Sequence, residues 1–470
     1  APDRLWIDGA LQVAGGLMAD THFAVLDEQK FSAFHWRAIL VTGLGVFCDG
    51  YDISSISLVL TSVLASFHVA PHDVPWFKGW LAAAALVGSM LGALLFGMLA
   101  QGGRKRFYGL DALILGVAAL AQAFMPTVWL LIACRFVLGI GVGADYVLSP
   151  TIMAEHANRK DRGKAIGLGF GTMWPIGALT AALFKLLLDS FHVPPDLVWK
   201  LVLAGGAIPA LGVMYFRRRM PESARYLARV AADQARAQAA MAEVSGVATA
   251  PPPAIDTRPF WQVFRQHARY IFAGALLWML YDLVVYAAIL FGPDIIAQNL
   301  GIPGSIYQIL TELIFVIPPS ILMSWFIIDK FGRKPLQVWG FVGGAVTLVV
   351  FAWMRATPGI SALAAYVVFG LFNIAQTGPG LVSGAGVYGV ELAPTRIRSV
   401  AQSITVIGGR IGASISAFVF PVVNAHLGFV WTMVGLAGLS LVGGLASQLL
   451  VPETSSRSLE EINLEHAPAS

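Results

Sequence analysis

The sequence predicts an all-α membrane protein of twelve transmembrane helices in two six-helix halves, and three observations carry the prediction. Of 470 residues, 57% are hydrophobic and 12% charged, about half the charged share of a soluble chain. The apolar residues come in long unbroken runs such as WLAAAALVGSMLGALLFGMLA (80–100), where a membrane β-barrel would alternate apolar and polar residues along short strands. Three short motifs also recur in one order, about 230 residues apart, which is the mark of an internal duplication.

A hydrocarbon core of about 30 Å takes roughly 20 helical residues to cross. On that measure spans are expected at 37–66, 76–100, 108–126, 128–155, 164–189 and 197–216, and again at 267–293, 305–328, 336–355, 361–391, 398–424 and 428–451. Residues 1–36 mix Asp, Arg, Glu and Lys with isolated apolar residues. They are expected to form a cytoplasmic segment without a signal peptide, the first span serving as insertion signal. Segment 217–266 turns to Ala, Gln, Arg and Glu and then to the stiff stretch ATAPPPA. It reads as a linker between a first bundle (37–216) and a second (267–451), with an amphipathic surface helix over 222–245. Residues 452–470 read as a tail.

The net charge is +4, and the excess sits in alternate loops: GGRKR, NRKDRGK, RRRMPESARYLAR, DKFGRKP and PTRIRS. The intervening loops HVAPHDVP, MPT, HVPPDL and NLGIPGS are almost free of Lys and Arg. This pattern signals topology rather than nucleic acid, and places both termini and the middle loop in the cytoplasm of a multi-pass cell-membrane protein. Cys48 and Cys134 lie inside apolar runs and read as small core residues. His35, His68, His72 and His156 lack metal-ligand spacing, and no H-E-x-x-H, C-x-x-C or G-x-x-x-x-G-K-S/T sequence occurs. No metal, cofactor, enzymatic or ATP-driven chemistry is expected.

The duplicated motifs are Gly103-Arg104-Lys105 with Gly332-Arg333-Lys334, Glu155…Arg162 with Glu391…Arg398, and Pro221-Glu222-Ser223 with Pro452-Glu453-Thr454. Twelve spans in two parallel repeats are the architecture of major facilitator transporters.

A charge at mid-bilayer costs about 2.5–3.5 kcal/mol even on lenient scales, so intramembrane ionisable residues mark function. Asp49 and Asp52 stand three residues apart in the first span. Two such neighbours resist joint ionisation, which suits a proton carrier; the alternative is that Asp52 bonds backbone near a kink. Arg135 in the fourth span needs an acidic neighbour from another helix, with Asp49 and Asp52 the candidates, either to tune a proton site or to pin two helices. Asp111 is either a surface charge facing GGRKR or part of a proton path. In the seventh span Trp278, Asp282 and Tyr286 recur every four residues and form one polar-aromatic stripe, expected to bind a small polar ligand. Arg410, bracketed by small residues in VIGGRIGASISAF, suits an anionic solute; the alternative is a salt bridge to Asp282 in the empty state.

Over nearly its whole length the sequence resembles the major facilitator superfamily, through IDKFGRK, the paired GRK loops, PESARYL and VPET. The stretch GVGADYVLSPTIMAEHANRKDRGK (141–164) is similar to the phosphate:proton symporter signature, as are the Trp-x-x-x-Asp-x-x-x-Tyr stripe and the first-span Asp-x-Tyr-Asp. The resemblance implies a substrate site at Tyr146, Trp278, Asp282 and Tyr286, and proton coupling at Asp49, Asp52, Asp145 and Arg135. Asp111 stands where that family usually has glutamate and Arg410 where it has lysine. Trp174 stands in place of a glutamine, a Gly-Pro-Asn is altered to GPG at 378–380, and the first GRK loop lacks its preceding Asp. The site is therefore expected to be remodelled, bulkier and poorer in amides. The expected function is a monomeric proton-coupled importer of a small anion, inorganic phosphate first and an organic acid second. A sugar porter and a non-transporting receptor are the further alternatives.

Overall fold

The computed structural model describes residues 23–246, 256–463 and 465. Most of the segment expected before the first span, and the ATAPPPA stretch, lie outside them. The helices α1 (Ala33–Ser66), α2 (Val74–Gly102), α3 (Leu110–Gln122), α4 (Val128–His156), α5 (Arg162–Ser190) and α6 (Pro195–Arg218) make up the first half. The second half contains α7 (Phe260–Phe291), α8 (Gly304–Phe331), α9 (Arg333–Ala356) and α10 (Ala362–Glu391). It closes with a continuous stretch, Arg398–Leu450, that holds the last two spans. Gly428, at φ 78° and ψ 165°, breaks that stretch into α11 (398–427) and α12 (429–450), because only glycine adopts this backbone without strain. The third span is shorter than expected. Its helix has 13 residues and covers about 20 Å at 1.5 Å per residue.

The helices pack through small residues that let backbones touch. A Cβ added at Gly139 or Gly143 of α4 would lie 2.0 and 1.9 Å from the Ala85 and Ser89 carbonyl oxygens of α2. At Gly88 and Gly92 it would meet the carbonyls of Phe136 and Ile140 at 2.0 and 2.1 Å. The same device joins α1 to α5, through Gly50 against Trp174 and Gly177 against Phe47, and α7 to α11, through Gly408 against Ala275 and Gly412 against Met279. With no hydrophobic drive between helices in lipid, such close approach and its van der Waals contact hold the bundle. Since α7 and α11 are the counterparts of α1 and α5, the duplication read in the loops extends to the packing.

The surface helix expected over 222–245 is instead two, Ala224–Arg229 and Gln234–Ser245. Ala232 takes φ 59°, and Asp233 caps the second helix by accepting from the Arg236 N–H at 3.0 Å. Both helices pack with Phe23 and Leu26 in a small apolar cluster. Several spans contain π-helical turns, among them Gly167–Thr172 in α5, Thr311–Val316 in α8 and Gly380–Gly384 in α10. Such turns are frequent at functional sites, and these three flank the cavity described next.

Candidate functional site

Between the halves lies a cavity of about 130 Å³. At the end of the bundle where residues 23–32 and 452–463 lie, the halves are tied by ion pairs. Glu155 of the first half takes Arg104 of its own half and Arg398 of the other, at 3.2 and 3.0 Å. Glu391 takes Arg333 of its own half and Arg162 of the other, at 3.2 and 2.7 Å. The duplicated motifs thus form a reciprocal pair of ion triads. At the opposite end the Ser57 hydroxyl donates to the Leu290 carbonyl at 2.8 Å and Trp80 meets Phe418 edge-on at 5.4 Å between ring centres. The halves therefore touch both below and above the cavity.

Tyr146, Trp174, Trp278, Asp282, Tyr286 and Arg410 all line this space, so four different helices, α4, α5, α7 and α11, deliver the six residues expected at the substrate. Arg410 is 2% exposed. Its Nη1 donates to the Tyr286 hydroxyl at 2.6 Å and its Nη2 to Asp49 Oδ2 at 3.2 Å. The same Asp49 oxygen accepts from the Tyr146 hydroxyl at 2.9 Å and from the Trp174 indole N–H at 3.1 Å, while the guanidinium stands 4.4 Å from the centre of the Tyr146 ring. The partner of Arg410 is thus Asp49, and the alternative pairing with Asp282 is not formed. Asp282 keeps its place on the wall beside Trp278, one turn away, without an ion pair among the described residues. A bond to the α1 carboxylate crosses from one half to the other, which sequence spacing could not reveal.

Asp52 faces elsewhere. Arg135 holds it with two hydrogen bonds, Nη1 to Oδ1 at 3.2 Å and Nη2 to Oδ2 at 3.0 Å. The remaining donors of that guanidinium reach the Gln122 side-chain oxygen at 3.0 Å and the Leu81 carbonyl at 2.8 Å. Every nitrogen is satisfied, and α1, α2, α3 and α4 are pinned at one point. This geometry fits a fixed clamp better than a proton carrier. The expectation that Asp49 and Asp52 act as one close pair gives way to two separate ion pairs, because positions three apart on a helix are still rotated by about 60° and meet different neighbours once helices pack on both sides.

Asp111 and Asp145 share one cation. Arg217, at the end of α6, bonds Asp111 through Nη1 and Asp145 Oδ1 through Nη2 at 2.5 Å. Ser149 donates to the same Asp145 oxygen at 2.6 Å and joins the Tyr108 hydroxyl at 2.9 Å. Asp145 Oδ2 is buried without a hydrogen-bond partner. Asp111 is therefore no surface charge, and Asp145 is not beside Arg135. Two buried carboxylates on one guanidinium leave one negative charge uncompensated if both are ionised.

A family model described as "Sugar (and other) transporter" matches residues 38–465. The chain belongs to this transporter family, within the major facilitator superfamily. Its curated relatives include a probable inorganic phosphate transporter 1-6 of Arabidopsis thaliana, 30% identical over 94% of this chain and 96% of that one. An inorganic phosphate transporter 1-6 of Oryza sativa subsp. japonica is 31% identical over 93% and 94%, and a low affinity inorganic phosphate transporter 3 of Petunia hybrida is 30% identical over 94% and 94%. Among solved structures, the proton:xylose symporter XylE bound to 6-bromo-6-deoxy-D-glucose superposes with a TM-score of 0.77 at 22% identity, covering 92% of this chain and 99% of that one. Its inward-open form from E. coli gives 0.65 at 23% identity, covering 92% and 99%. The protein is thus a multi-pass membrane transporter and not an enzyme.

In this transporter, sequence reasoning missed two groups. Arg217 reads in the sequence as the edge of a basic loop, since three arginines in a row signal topology before they signal chemistry. The second-half wall supplies the other group: Gln308 and Glu312 of α8 and Asn373 of α10 also line the cavity. A signal was present, because Glu312 is a carboxyl inside the apolar run QILTELIFV, where its cost demands an explanation.

Proposed function

We propose that this protein is a proton-coupled symporter that imports a small oxyanion, with inorganic phosphate as first substrate. The observation that carries this reading is Arg410, a cation on the cavity wall whose counter-charge is a displaceable carboxylate of the other half. An entering phosphate competes with Asp49 for the guanidinium, which offers charge-assisted and bidentate bonds. Tyr286, Tyr146 and the Trp174 and Trp278 indoles supply further donors around it. Asp49, once it loses its cation in a dry site, becomes expensive as an anion and takes up a proton. Anion and proton then bind together, which is the condition for symport. Asp145, sharing Arg217 with Asp111, is a second candidate for proton exchange in the first half. The names of the relatives at 30–31% identity support phosphate.

A small organic acid is the second reading, favoured by Trp174 in the wall and by the hydrogen-bonding side chains of Gln308, Glu312 and Asn373 facing the same space. The basic loops support cytoplasmic termini in the cell membrane, and one chain encloses a complete cavity, which supports function as a monomer.

The test is uptake of labelled phosphate into proteoliposomes under an imposed inward proton gradient, competed by carboxylates and sugars. Phosphate should accumulate and phosphate or a carboxylate should compete. Asp49→Asn should abolish gradient-driven accumulation while sparing phosphate exchange, and Arg410→Gln should abolish both, with Arg410→Lys retaining part. Competition by a neutral sugar alone, or full activity of Arg410→Gln, would refute the anion reading.

A further inference from the structure

We infer that Glu312 is a proton-loading carboxyl of the cavity, so that the anion travels with a proton on the second-half wall in addition to the one taken up on the first-half side. The inference rests on the proposed anion symport and extends it to a residue that the first-half network does not include.

Glu312 lies in the π-helical turn Thr311–Val316 of α8, which Ile317 separates from Pro318 and Pro319. Those prolines have no N–H to give to the preceding turn, and a wider helical turn accommodates the loss. The side chain lines the cavity and is 3% exposed. Its Oε1 accepts from the Gln308 amide at 2.6 Å, and its Oε2 is buried with no partner. Among the described residues no Lys, Arg or His forms an ion pair with it. The titratable neighbours are Tyr307 on its own helix and Tyr366 of α10, and the Tyr366 hydroxyl is already engaged with Thr311 at 3.1 Å. From α5, Trp174 and Pro175 face the same space, and from α7 and α11 Asp282 and Arg410 do. Arg410 is taken by Asp49.

An ionised carboxylate here would be a buried charge with one neutral donor and one orphaned oxygen, the arrangement proteins avoid. A proton on Oε2 removes the charge and turns the orphan into a donor. The charge count of the cavity leads to the same place. Arg410 and Asp49 cancel, so an anion that met ionised Asp282 and Glu312 would enter a site of two unpaired negative charges. With both carboxyls protonated that repulsion vanishes, and the anion meets only the neutral Arg410–Asp49 pair, whose carboxylate it displaces.

Glu312→Gln imitates the protonated form and should lock that wall in its loaded state. In proteoliposomes clamped at zero membrane potential, the variant should keep phosphate exchange, and its steady-state accumulation should rise with the proton gradient by one proton fewer than the parent, tenfold less per pH unit. An unchanged slope overturns the proposal, including the case of a Glu312 that holds its proton through the whole cycle. An infrared measurement on purified protein without substrate separates this from the fate of the phosphate reading. A protonated-carboxyl component at neutral pH should be present in the parent, shifted in Glu312→Asp and lost from the spectrum of Glu312→Gln, which keeps any contribution of Asp282. Identical parent and Gln spectra refute the proton on Glu312 whatever the substrate proves to be, whereas the band in a parent that moves no phosphate refutes the substrate alone.

Discussion

The charged side chains buried between the helices divide by whether their charges are balanced. Asp52 and Arg135 are fully matched, and removing either would leave the other buried alone. Arg410 and Asp49 are matched across the two halves, so their balance depends on how the halves sit. Asp111, Asp145 and Arg217 are unmatched by one charge. This inequality gives a sharp expectation for Arg217→Leu: two buried carboxylates lose the cation they share, and breaking such a network by removing one partner costs about 3–5 kcal/mol. Thermal unfolding in detergent should show a clear loss of stability, and Asp111→Asn added to the same chain should restore part of it by removing one of the stranded carboxylates. Additive losses in the double variant would mean that the three side chains do not act as one network.

At the level of helices, two kinds of contact dominate. Inside the membrane, glycine faces let backbones meet, and Gly143→Leu should force α2 from α4, since even a Cβ would overlap the Ser89 carbonyl at 1.9 Å. Overpacking of this sort costs at least about 1–3 kcal/mol, so the variant should unfold at lower temperature than Gly435→Leu, where an added Cβ meets nothing within 4 Å. Outside the membrane, the short helix Leu459–Asn463 docks through charge. Glu460 meets Arg225 at 2.8 Å, and Arg225 also holds Asp27 at 2.7 Å. Burial raises the Glu460 carboxyl, but the Arg225 guanidinium, by charge and hydrogen bond and with help from Arg229, outweighs it and brings it from 4.5 down to about 2. A depressed acid stabilises the docked state fully above its unfolded value and loses that contribution as pH falls through the folded one. Amide protection of residues 459–463 should therefore persist at pH 5 and fall progressively as pH drops from about 4.5 to about 2. Glu460→Gln should lose protection at every pH.

Across the whole molecule, the reciprocal triads tie the two halves together at one end of the cavity. Each glutamate binds one arginine from its own repeat and one from the other, so closure at that end is written twice, once per half. Glu391→Gln should weaken one of the two cross-links. Spin labels at the exposed positions Lys160 and Arg457 should then report an additional, longer distance population that the parent lacks. Unaltered distances would mean that the other triad and the docked tail suffice to hold the halves together.

Composition and the length of apolar runs determined by themselves that the chain is a helical membrane protein with twelve spans, because crossing a bilayer requires about 20 apolar residues with every backbone group bonded within the helix. The cost of a charge in lipid likewise singled out Asp49, Asp52, Arg135, Asp282 and Arg410 from sequence alone. Which charge meets which was decided only by the tertiary structure. Arg410 found Asp49 rather than Asp282, Asp145 came to share Arg217 with Asp111, and the unclaimed Glu312 came to the cavity from a helix whose sequence reads as apolar. Helical periodicity orders residues along one helix, and an ion pair forms wherever two different helices cross. Those crossings follow from where glycines let backbones approach, a three-dimensional fit that no spacing within a single run encodes.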